Sequence, residues 1–292
     1  MSTALAAPLY DAHNHLHDAW LAPHRAEVFA ALREVGLKRA VVNGTCEADW
    51  PEVAALAREH TVVWPSFGLH PWDVGNASPQ WRDQLQRTLD EHPQSALGEI
   101  GLDRWILERA RPDDPRLAGL RRAPLEEQVD AFRWQLQLAI ERSLPVTIHC
   151  LEAWGAVRET LAALPKLPRG FLLHAYGGSI ELAQEFTALG AFYSFNGAFL
   201  AERHRPKREV FRVLPEGRIL VETDSPAMPL PPGWQTHALP KLADGGVVNH
   251  PANIHNAYAG LAEIRGVDLA QLAPRVAGNF SALLGQEAAG SA

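Results

Sequence analysis

Cysteine, positive charge and long apolar runs are all scarce in this chain of 292 residues. Two cysteines, Cys46 and Cys150, are too few for the disulfide framework of a small secreted domain, and they favour a reduced, cytoplasmic compartment. The residues before Asp11 lack the basic and apolar regions of a signal peptide, and no apolar run approaches the ~18 residues that span a bilayer. We therefore expect neither a disulfide-stapled secreted domain nor a membrane protein.

Acidic residues outnumber basic ones, with 34 Asp and Glu against 27 Lys and Arg and a formal net charge of -7. This balance excludes a protein that holds nucleic acid by bulk electrostatic attraction, although a local basic groove stays open. Apolar residues make up 47% of the chain, which is enough to fill a core and excludes disorder over most of its length. Histidine, with 13 copies, is abundant, and its positions carry most of the functional information.

Short apolar runs typical of buried strands alternate with longer amphipathic stretches along the whole chain. Ser78 and Pro79 predict an N-cap and a first helical residue, and Gly36 and Gly190 predict left-handed helix ends. The predicted strands are Leu9–Leu16, Arg39–Thr45, Val62–His70, Ser95–Leu102, Pro145–Cys150, Gly170–Tyr176, Ala191–Gly197 and Arg218–Asp224. The predicted helices are His24–Val35, Trp50–His60, Ser78–Glu91, Pro124–Ser143, Ala153–Leu164, Ser179–Leu189, Pro206–Leu214, Ala252–Ile264 and Leu269–Leu284.

Strands that are apolar throughout and separated by helices predict a parallel sheet covered on both faces. Eight such units match the α/β class of the (β/α)₈, or TIM, barrel, whose usual length is roughly 250 residues. A doubly wound open sheet is the alternative that periodicity leaves open. No repeat or linker divides the chain, so we predict a single domain over residues 1–292. The Pro-rich stretch Ser225–Pro251 is predicted to be a long functional loop after the eighth strand.

Polar residues interrupt the apolar strands at their C-terminal ends, which is the face where TIM barrels collect catalytic groups. Because side chains alternate along a strand, His13 and His15 point to the same side. Imidazoles and carboxylates suit Zn²⁺, and carboxylates with water suit Mg²⁺ or Mn²⁺. The candidate ligands exceed the needs of one tetrahedral ion and predict a binuclear hydrolytic site with open positions. They are His13, His15, Glu99, His149, His174 and Asp224.

These segments together resemble those of the TatD-like metal-dependent hydrolases, a family of TatD-type deoxyribonucleases within the amidohydrolase-like superfamily. The resemblance runs through almost the whole chain in the expected order. It implies a TIM barrel, divalent metal ions and phosphodiester hydrolysis, with DNA as the best-known substrate. The segments that carry it are Asp11–Leu16, Phe67–Pro71, Gly98–Asp103, Val146–His149, Leu173–Gly178, Val221–Pro226, Asn249–Asn253 and Asn279–Leu284.

The resemblance also implies a role for each candidate ligand. His13, His15 and Asp224 would hold one metal ion, His149 and His174 would hold the other, and Glu99 would bridge the two ions. His70 looks like the substrate-side histidine of the family, or it packs within its loop. Two ions of this kind activate a water, whose proton needs a nearby base, and Asp224 is our candidate for that base as well as a ligand.

Two further carboxylates have open readings. Glu222 has the strand parity of Asp224 and either supports a ligating histidine or is satisfied by backbone donors. Asp103 either orients a ligand or caps the next segment. The two cysteines are expected to be buried apolar residues, not ligands.

Two loops depart from the family pattern, in which an arginine commonly follows the fifth-strand histidine and basic residues precede the asparagine of the last loop. The corresponding stretches here, His149–Glu152 and Asp244–Pro251, lack these cations. Arg203, Arg205, Lys207 and Arg208 either restore a basic edge or form the solvated face of a helix. The stretch Arg104–Arg122 is predicted to form a lid, and several tryptophans, including Trp72 and Trp105, either pack or stack on a flat ligand.

Three functions follow from these residues. The first is a phosphodiesterase that acts on DNA, carried by the ligand set and the resemblance. The second is a hydrolase of a small ester, amide or lactone, which the acidic balance and the missing cations favour. The third is a barrel without catalytic activity that binds a metal or a partner. The oligomeric state and the native metal stay open.

Overall fold

Eight β-strands form one sheet in the computed structural model of the chain, which describes residues 8–242 and 245–285. The order of the strands across the sheet is their order along the chain. The pairs β3–β4, β4–β5, β5–β6 and β7–β8 are parallel. The strands are β1 (Leu9–Asn14), β2 (Leu37–Asn43), β3 (Val63–Phe67), β4 (Ala96–Asp103), β5 (Val146–Leu151), β6 (Phe171–Leu173), β7 (Ala191–Asn196) and β8 (Ile219–Glu222).

Helices separate the strands, and two more follow the last strand. A doubly wound sheet reverses its strand order at a switch point, whereas this order runs from β1 to β8 without reversal. The topology is that of a (β/α)₈ TIM barrel, which confirms the predicted fold class. The helices are α1 (Arg25–Glu34), α2 (Trp50–Glu59), α3 (Trp81–Glu91), α4 (Trp105–Glu108), α5 (Leu125–Arg142), α6 (Trp154–Ala162), α7 (Ile180–Leu189), α8 (Arg205–Val213), α9 (Ile254–Arg265) and α10 (Leu269–Leu284).

The described residues fall into two compact units. The terminal unit draws on Met1–Val41, Ala175–Gln184 and Phe192–Ala292, and the central unit consists of Val42–His174 and Glu185–Ala191. The single domain over residues 1–292 stays a prediction. None of the helices within the described part of the chain is long and apolar enough to cross a membrane.

Polar side chains fix α9 and α10 against the strands of the terminal unit. The Tyr258 hydroxyl donates to the Tyr10 carbonyl oxygen at 2.9 Å and accepts from the Tyr10 N–H at 3.0 Å. Asn279 donates to the carbonyl oxygen of Ile219 at 2.8 Å, and the ring of Phe280 lies 4.7 Å from that of Tyr10. Because buried backbone groups need partners, these bonds set the position of both helices on β1 and β8.

Two buried glutamines of α5 perform the same task in the central unit. They lie seven residues apart, which is about two helical turns and places both on one face. Gln135 accepts from the Leu69 N–H at 2.8 Å and donates to the Leu69 carbonyl oxygen at 3.1 Å. Gln128 accepts from the Asp103 N–H at 2.9 Å and donates to the Asp103 carbonyl oxygen at 3.1 Å. Each glutamine therefore anchors the backbone where a strand ends.

Gly101 lets β4 and β5 approach closely beside a predicted ligand. It is the partner of His149 in the strand register and has φ of +147°. A Cβ atom at this position would lie 2.0 Å from the carbonyl oxygen of His149. A side chain here would displace β5, so the glycine is required for the position of His149.

Most predicted elements are confirmed within a few residues, and both predicted left-handed glycines have positive φ, +77° at Gly36 and +106° at Gly190. The predicted cap of α3 is wrong. This helix begins at Trp81, and the Ser78 hydroxyl instead donates to Glu47 Oε1 at 2.5 Å. The predicted lid, Arg104–Arg122, contains the short helix α4, which the sequence did not predict.

Candidate metal centre

Most predicted ligands lie near or just beyond the C-terminal ends of the strands, whereas Glu99 lies in the middle of β4, and each unit brings its own ligands together. In the terminal unit, His13 belongs to β1, His15 follows β1 directly, and Asp224 lies two residues after β8. In the central unit, Glu99 belongs to β4, His149 belongs to β5, and His174 follows β6. We call these the terminal triad and the central triad.

The terminal triad has the spacing of ligands around an ion. Asp224 Oδ1 lies 3.5 Å from His13 Nε2 and 3.5 Å from His15 Nε2. The two rings are 5.0 Å apart and nearly perpendicular. Tetrahedral ligands about 2.1 Å from a zinc ion are roughly 3.4 Å from one another. The terminal triad therefore leaves room for a cation between its three ligand atoms.

Asp11 holds the backbone behind the terminal triad. Its carboxylate accepts from the N–H groups of His13 at 3.2 Å and Thr223 at 3.0 Å, and from the Thr223 hydroxyl at 2.6 Å. The Asp224 N–H donates to the His13 carbonyl oxygen at 3.0 Å, which ties the same two segments a second time. Asp224 itself adopts φ of +53°, a conformation that non-glycine residues rarely adopt and that occurs at functional sites.

The long loop after β8 is tied to the same place. The Ser225 side-chain hydroxyl donates to the Asn249 carbonyl oxygen at 2.7 Å. Asn249 donates in return to the carbonyl oxygen of Thr223 at 2.8 Å. These buried bonds fix the far end of the predicted loop, Ser225–Pro251, against the residue that precedes Asp224.

Two buried side chains donate hydrogen bonds to Glu222. Its carboxylate accepts from the Ser194 hydroxyl and from the Asn196 amide, the latter at 3.1 Å. All three residues are buried. The carboxylate thus joins the ends of β7 and β8 in the terminal unit, and its predicted support of a histidine stays a prediction.

The central triad is tighter than the terminal one. Glu99 Oε1 lies 2.8 Å from His174 Nε2 and 3.0 Å from His149 Nδ1. His149 Nδ1 and His174 Nε2 are 3.2 Å apart. His70 Nε2 lies 3.6 Å from the same Glu99 oxygen, so the predicted substrate-side histidine borders this triad. Glu99, His149 and His70 also form a three-ligand group within 4.8 Å.

Asp103 contacts both His149 and the next segment, α4, and its role in orienting a ligand stays a prediction. Asp103 Oδ2 lies 3.1 Å from His149 Nε2 and accepts from Trp72 Nε1 at 2.6 Å, while Oδ1 accepts from the Ile106 N–H in α4 at 2.9 Å. Burial lowers the pKa of His149, but the bonds and charges of Asp103 and Glu99 outweigh burial and raise this pKa to about 9. Burial also acts to raise the pKa of Asp103, yet its bonds with His149, Ile106 and Trp72 lower it.

The donor chemistry of both triads fits divalent cations. Each offers imidazole nitrogens and a carboxylate oxygen, a mixture that Zn²⁺ and Mn²⁺ accept. The carboxylate that contacts His149 on its far side is the orienting partner that metal-bound histidines usually have. The number of ions, their identity and the bridging role of Glu99 stay predictions.

Two residues at this site, Asp11 and Gln128, and one contact, between Trp72 and Asp103, were not singled out from the sequence. Asp11 shares strand parity with His13 and His15, so the alternation that paired the histidines was the available signal. Gln128 is a buried polar residue on an otherwise apolar helix face, and its spacing from Gln135 was a weaker signal. The bond between Trp72 and Asp103 joins residues far apart in the sequence, and no local pattern announces it.

The structure also shows the surroundings of the two cysteines and of the four cations around the start of α8. Both cysteines are half-buried, whereas the sequence analysis predicts buried residues. Burial raises the pKa of the Cys46 thiol to about 11 and also raises that of Cys150, which disfavours the thiolate form that binds metal ions. Arg208 donates to the carbonyl oxygens of Phe199 at 3.1 Å and Ala201 at 2.8 Å. Lys207 Nζ lies 4.4 Å from the centre of the Phe199 ring, whereas Arg203 and Arg205 are exposed. The four cations therefore form neither a single basic edge nor a single solvated face.

Comparison with known proteins gives concordant matches. The family described as TatD related DNase matches residues 10–285. The 3'-5' ssDNA/RNA exonuclease TatD of Shigella flexneri is 30% identical over 283 residues, which cover 95% of this chain and 99% of that protein. A metal-dependent hydrolase of Escherichia coli, YjjV, is 30% identical over 234 residues, 80% of each chain. The crystal structure of the E. coli TatD homologue YJJV has a TM-score of 0.80 at 27% identity and covers 96% of this chain and 98% of that chain.

Proposed function

This chain belongs to the TatD related DNase family and is a hydrolytic enzyme of that family, and from this premise we propose that it cleaves phosphodiester bonds of single-stranded DNA or RNA with two bound divalent cations. His13, His15 and Asp224 would hold one ion, His149 and His174 would hold the other, and Glu99 would bridge them. The observation that carries the proposal is the pair of imidazole–carboxylate triads, each with three ligand atoms drawn together. The name of the S. flexneri relative supports the single-stranded substrate.

Divalent cations, when bound, lower the pKa of a coordinated water and stabilise negative charge on phosphoryl oxygens. The side chains of the chain supply the remaining tasks. The Asp224 side chain is 12% exposed, so its carboxylate would be in reach of a water and would accept the proton that this water loses. His70 Nε2 faces Glu99 at the edge of the central triad, where it donates to an oxygen of the phosphate. Asp103 holds the His149 ring in one orientation.

A second candidate is a hydrolase of a small ester, amide or lactone. The net charge of -7 favours it, and so do the contacts of Arg208, whose guanidinium donates to backbone carbonyl oxygens. Nuclease affinity depends on neutralised phosphates, so an enzyme with few free cations near its site would prefer a smaller substrate. A cytoplasmic location is part of the proposal only through the scarcity of cysteine.

Metal reconstitution separates the two candidates. Protein stripped with EDTA would receive Mg²⁺, Mn²⁺ or Zn²⁺ and be assayed on end-labelled single-stranded DNA, single-stranded RNA, bis(4-nitrophenyl) phosphate and a 4-nitrophenyl carboxylate ester. We expect cleavage of the nucleic acids to return with metal and to be lost in Glu99→Gln. The matched control is Glu59→Gln, which alters an exposed glutamate of α2. Ester turnover without cleavage of either nucleic acid would refute the nuclease and support the second candidate.

A further inference from the structure

Two tryptophans and an arginine form a layered cluster beside the central triad. The rings of Trp72 and Trp105 are stacked, with centroids 6.2 Å apart and planes inclined by 23°. The guanidinium carbon of Arg116 lies 4.7 Å from the centre of the Trp105 ring and 5.9 Å from that of Trp72. Both tryptophans are half-buried, and the Arg116 side chain is 54% exposed. We call Trp72, Trp105 and Arg116 the tryptophan cluster.

Short contacts connect the tryptophan cluster to the candidate ligands. Trp72 Nε1 donates to Asp103 Oδ2, the oxygen that contacts His149. The Trp72 N–H donates to His70 Nδ1 at 3.2 Å, and the rings of these two residues are 5.7 Å apart. The cluster is thus one residue removed from His149 and adjacent to His70. A group that rests on it lies next to a phosphate at the central triad.

A second cluster in the central unit shows what packing alone produces. Trp81 and Trp134 also lie beside an arginine, Arg82, whose guanidinium carbon is 5.2 Å and 5.5 Å from the two ring centres. Their rings meet edge to face at 77°, and Trp81 is buried. Neither residue contacts a candidate ligand in the bonds described above. The tryptophan cluster differs in its nearly parallel planes, in having both of its tryptophans half-buried, and in its link to the triad.

Parallel, partly exposed aromatic planes next to an arginine are the features that hold nucleobases in single-stranded nucleic acids. Every base has a flat face, so such a platform binds without sequence preference. Asp114 fixes Arg116 by two bonds of 2.9 Å and 2.7 Å, which keep the guanidinium over the rings. Trp105 and Arg116 belong to the stretch Arg104–Arg122, which is predicted to form a lid, and Trp72 stacks on Trp105.

We propose that the tryptophan cluster is the subsite for a nucleobase of a single-stranded substrate, next to the phosphate that the central triad receives. This inference rests on the proposed function and adds the residues that recognise the base. It also explains how a protein with a net charge of -7 binds nucleic acid, because stacking replaces part of the phosphate neutralisation. A small ester lacks a flat base and gains nothing from the subsite.

Binding to metal-free protein tests the subsite apart from catalysis. Protein in EDTA would be titrated with a fluorescently labelled oligothymidylate and with an abasic oligonucleotide of the same length, which keeps the phosphates and lacks the bases. We expect wild-type protein to bind the oligothymidylate about tenfold more tightly than the abasic strand, and its tryptophan fluorescence to fall only with the former. Trp105→Ala should reduce this preference to about onefold, and Trp105→Phe should restore part of it.

Trp105 is the position to change because Trp72 also bonds Asp103 and its loss would disturb His149. Trp134→Ala, in the second cluster, is the matched control and should keep the preference for bases. Equal binding of both oligonucleotides by wild-type protein, or an unchanged preference in Trp105→Ala with its thermal unfolding intact, would overturn the subsite. Failure of the proposed function is a different result: the reconstitution assay would show no metal-dependent cleavage, independently of how the two oligonucleotides bind.

Discussion

The terminal and central triads contain the same types of candidate ligand but differ in the distances between the ligand atoms. In the terminal triad both histidine nitrogens lie 3.5 Å from one carboxylate oxygen, beyond ordinary hydrogen-bond length. In the central triad the corresponding distances are 2.8 and 3.0 Å, and the ligands bond one another. The first triad is spaced for an ion, whereas the second must exchange hydrogen bonds for metal bonds.

This difference has a consequence for protons. A histidine must be neutral to bind a metal, so metal competes with the proton on His149, whose pKa is raised to about 9. At neutral pH the central triad therefore releases a proton when it binds a cation. The two triads also differ in the carboxylate that supports them. Asp103 contacts the ring of His149 and so affects its protonation, whereas Asp11 accepts from the backbone N–H of His13 and holds the position of the chain.

The largest expected effect is the loss of either triad's carboxylate. Asp224→Ala and Glu99→Ala should each lower kcat for a phosphodiester by about 10³-fold, because each removes a ligand and, for Asp224, the proposed base. Metal content, measured by mass spectrometry after dialysis, should fall in both variants. Asp83→Ala, on the exposed face of α3, is the control and should retain wild-type values. Full activity in either triad variant would show that its triad is not part of the active site.

An intermediate effect is expected from Asp103→Asn, which sharpens the comparison because it leaves every predicted ligand in place. Loss of an orienting carboxylate behind a metal-bound histidine typically costs 10–100-fold in metal affinity or activity. The pH dependence distinguishes orientation from general damage. In wild-type protein, metal affinity of the central triad should keep rising with pH through about 9, the pKa at which half of the His149 side chains have lost their proton.

Without the Asp103 charge, the pKa of His149 falls, so the rise in affinity should be complete at a lower pH. Calorimetric titration with Zn²⁺ between about pH 6 and pH 9, in steps of roughly one pH unit, measures this shift. A variant that binds metal more weakly at every pH, with the profile unmoved, would mean that Asp103 acts only on the fold. Asp83→Asn serves as the matched control.

The fold was predictable because its signals are local. Apolar runs and glycine stops located the strands, and eight alternating units favoured the barrel, although periodicity alone left the strand order of a doubly wound sheet open. Errors arose where tertiary contacts decide. The sixth strand ends at Leu173 and not at Tyr176, because the chain turns at Ala175, which has φ of +43°. Helix α4 has four residues in a Pro- and Arg-rich stretch, and its start depends on the bond from Ile106 to Asp103.

The candidate ligands were predictable for a different reason. A histidine or carboxylate that ends an apolar strand is conspicuous, and strand parity states which side it faces. The supporting residues lack that signal. Gln128 fixes Asp103 from 25 residues away, and the bond between Asp11 and Thr223 spans 212 residues. Such pairs are set by the closure of the fold, so the sequence indicated the candidate ligands and Asp103 but not Asp11 or Gln128.

The smallest effect is expected from Asp11→Asn, which changes the carboxylate that supports the backbone behind the terminal triad. The asparagine oxygen still accepts from the N–H groups of His13 and Thr223, and only the bond with the Thr223 hydroxyl changes its polarity. We expect a loss of about 1 kcal/mol in the free energy of unfolding, the usual value of one hydrogen bond, measured by urea denaturation. Activity should change less than threefold, or about 0.6 kcal/mol, and the pH profile should not move. A shift of that profile like the one expected for Asp103→Asn would show that both carboxylates act on the ligands, and the distinction between a ring-orienting and a backbone-holding support would be wrong.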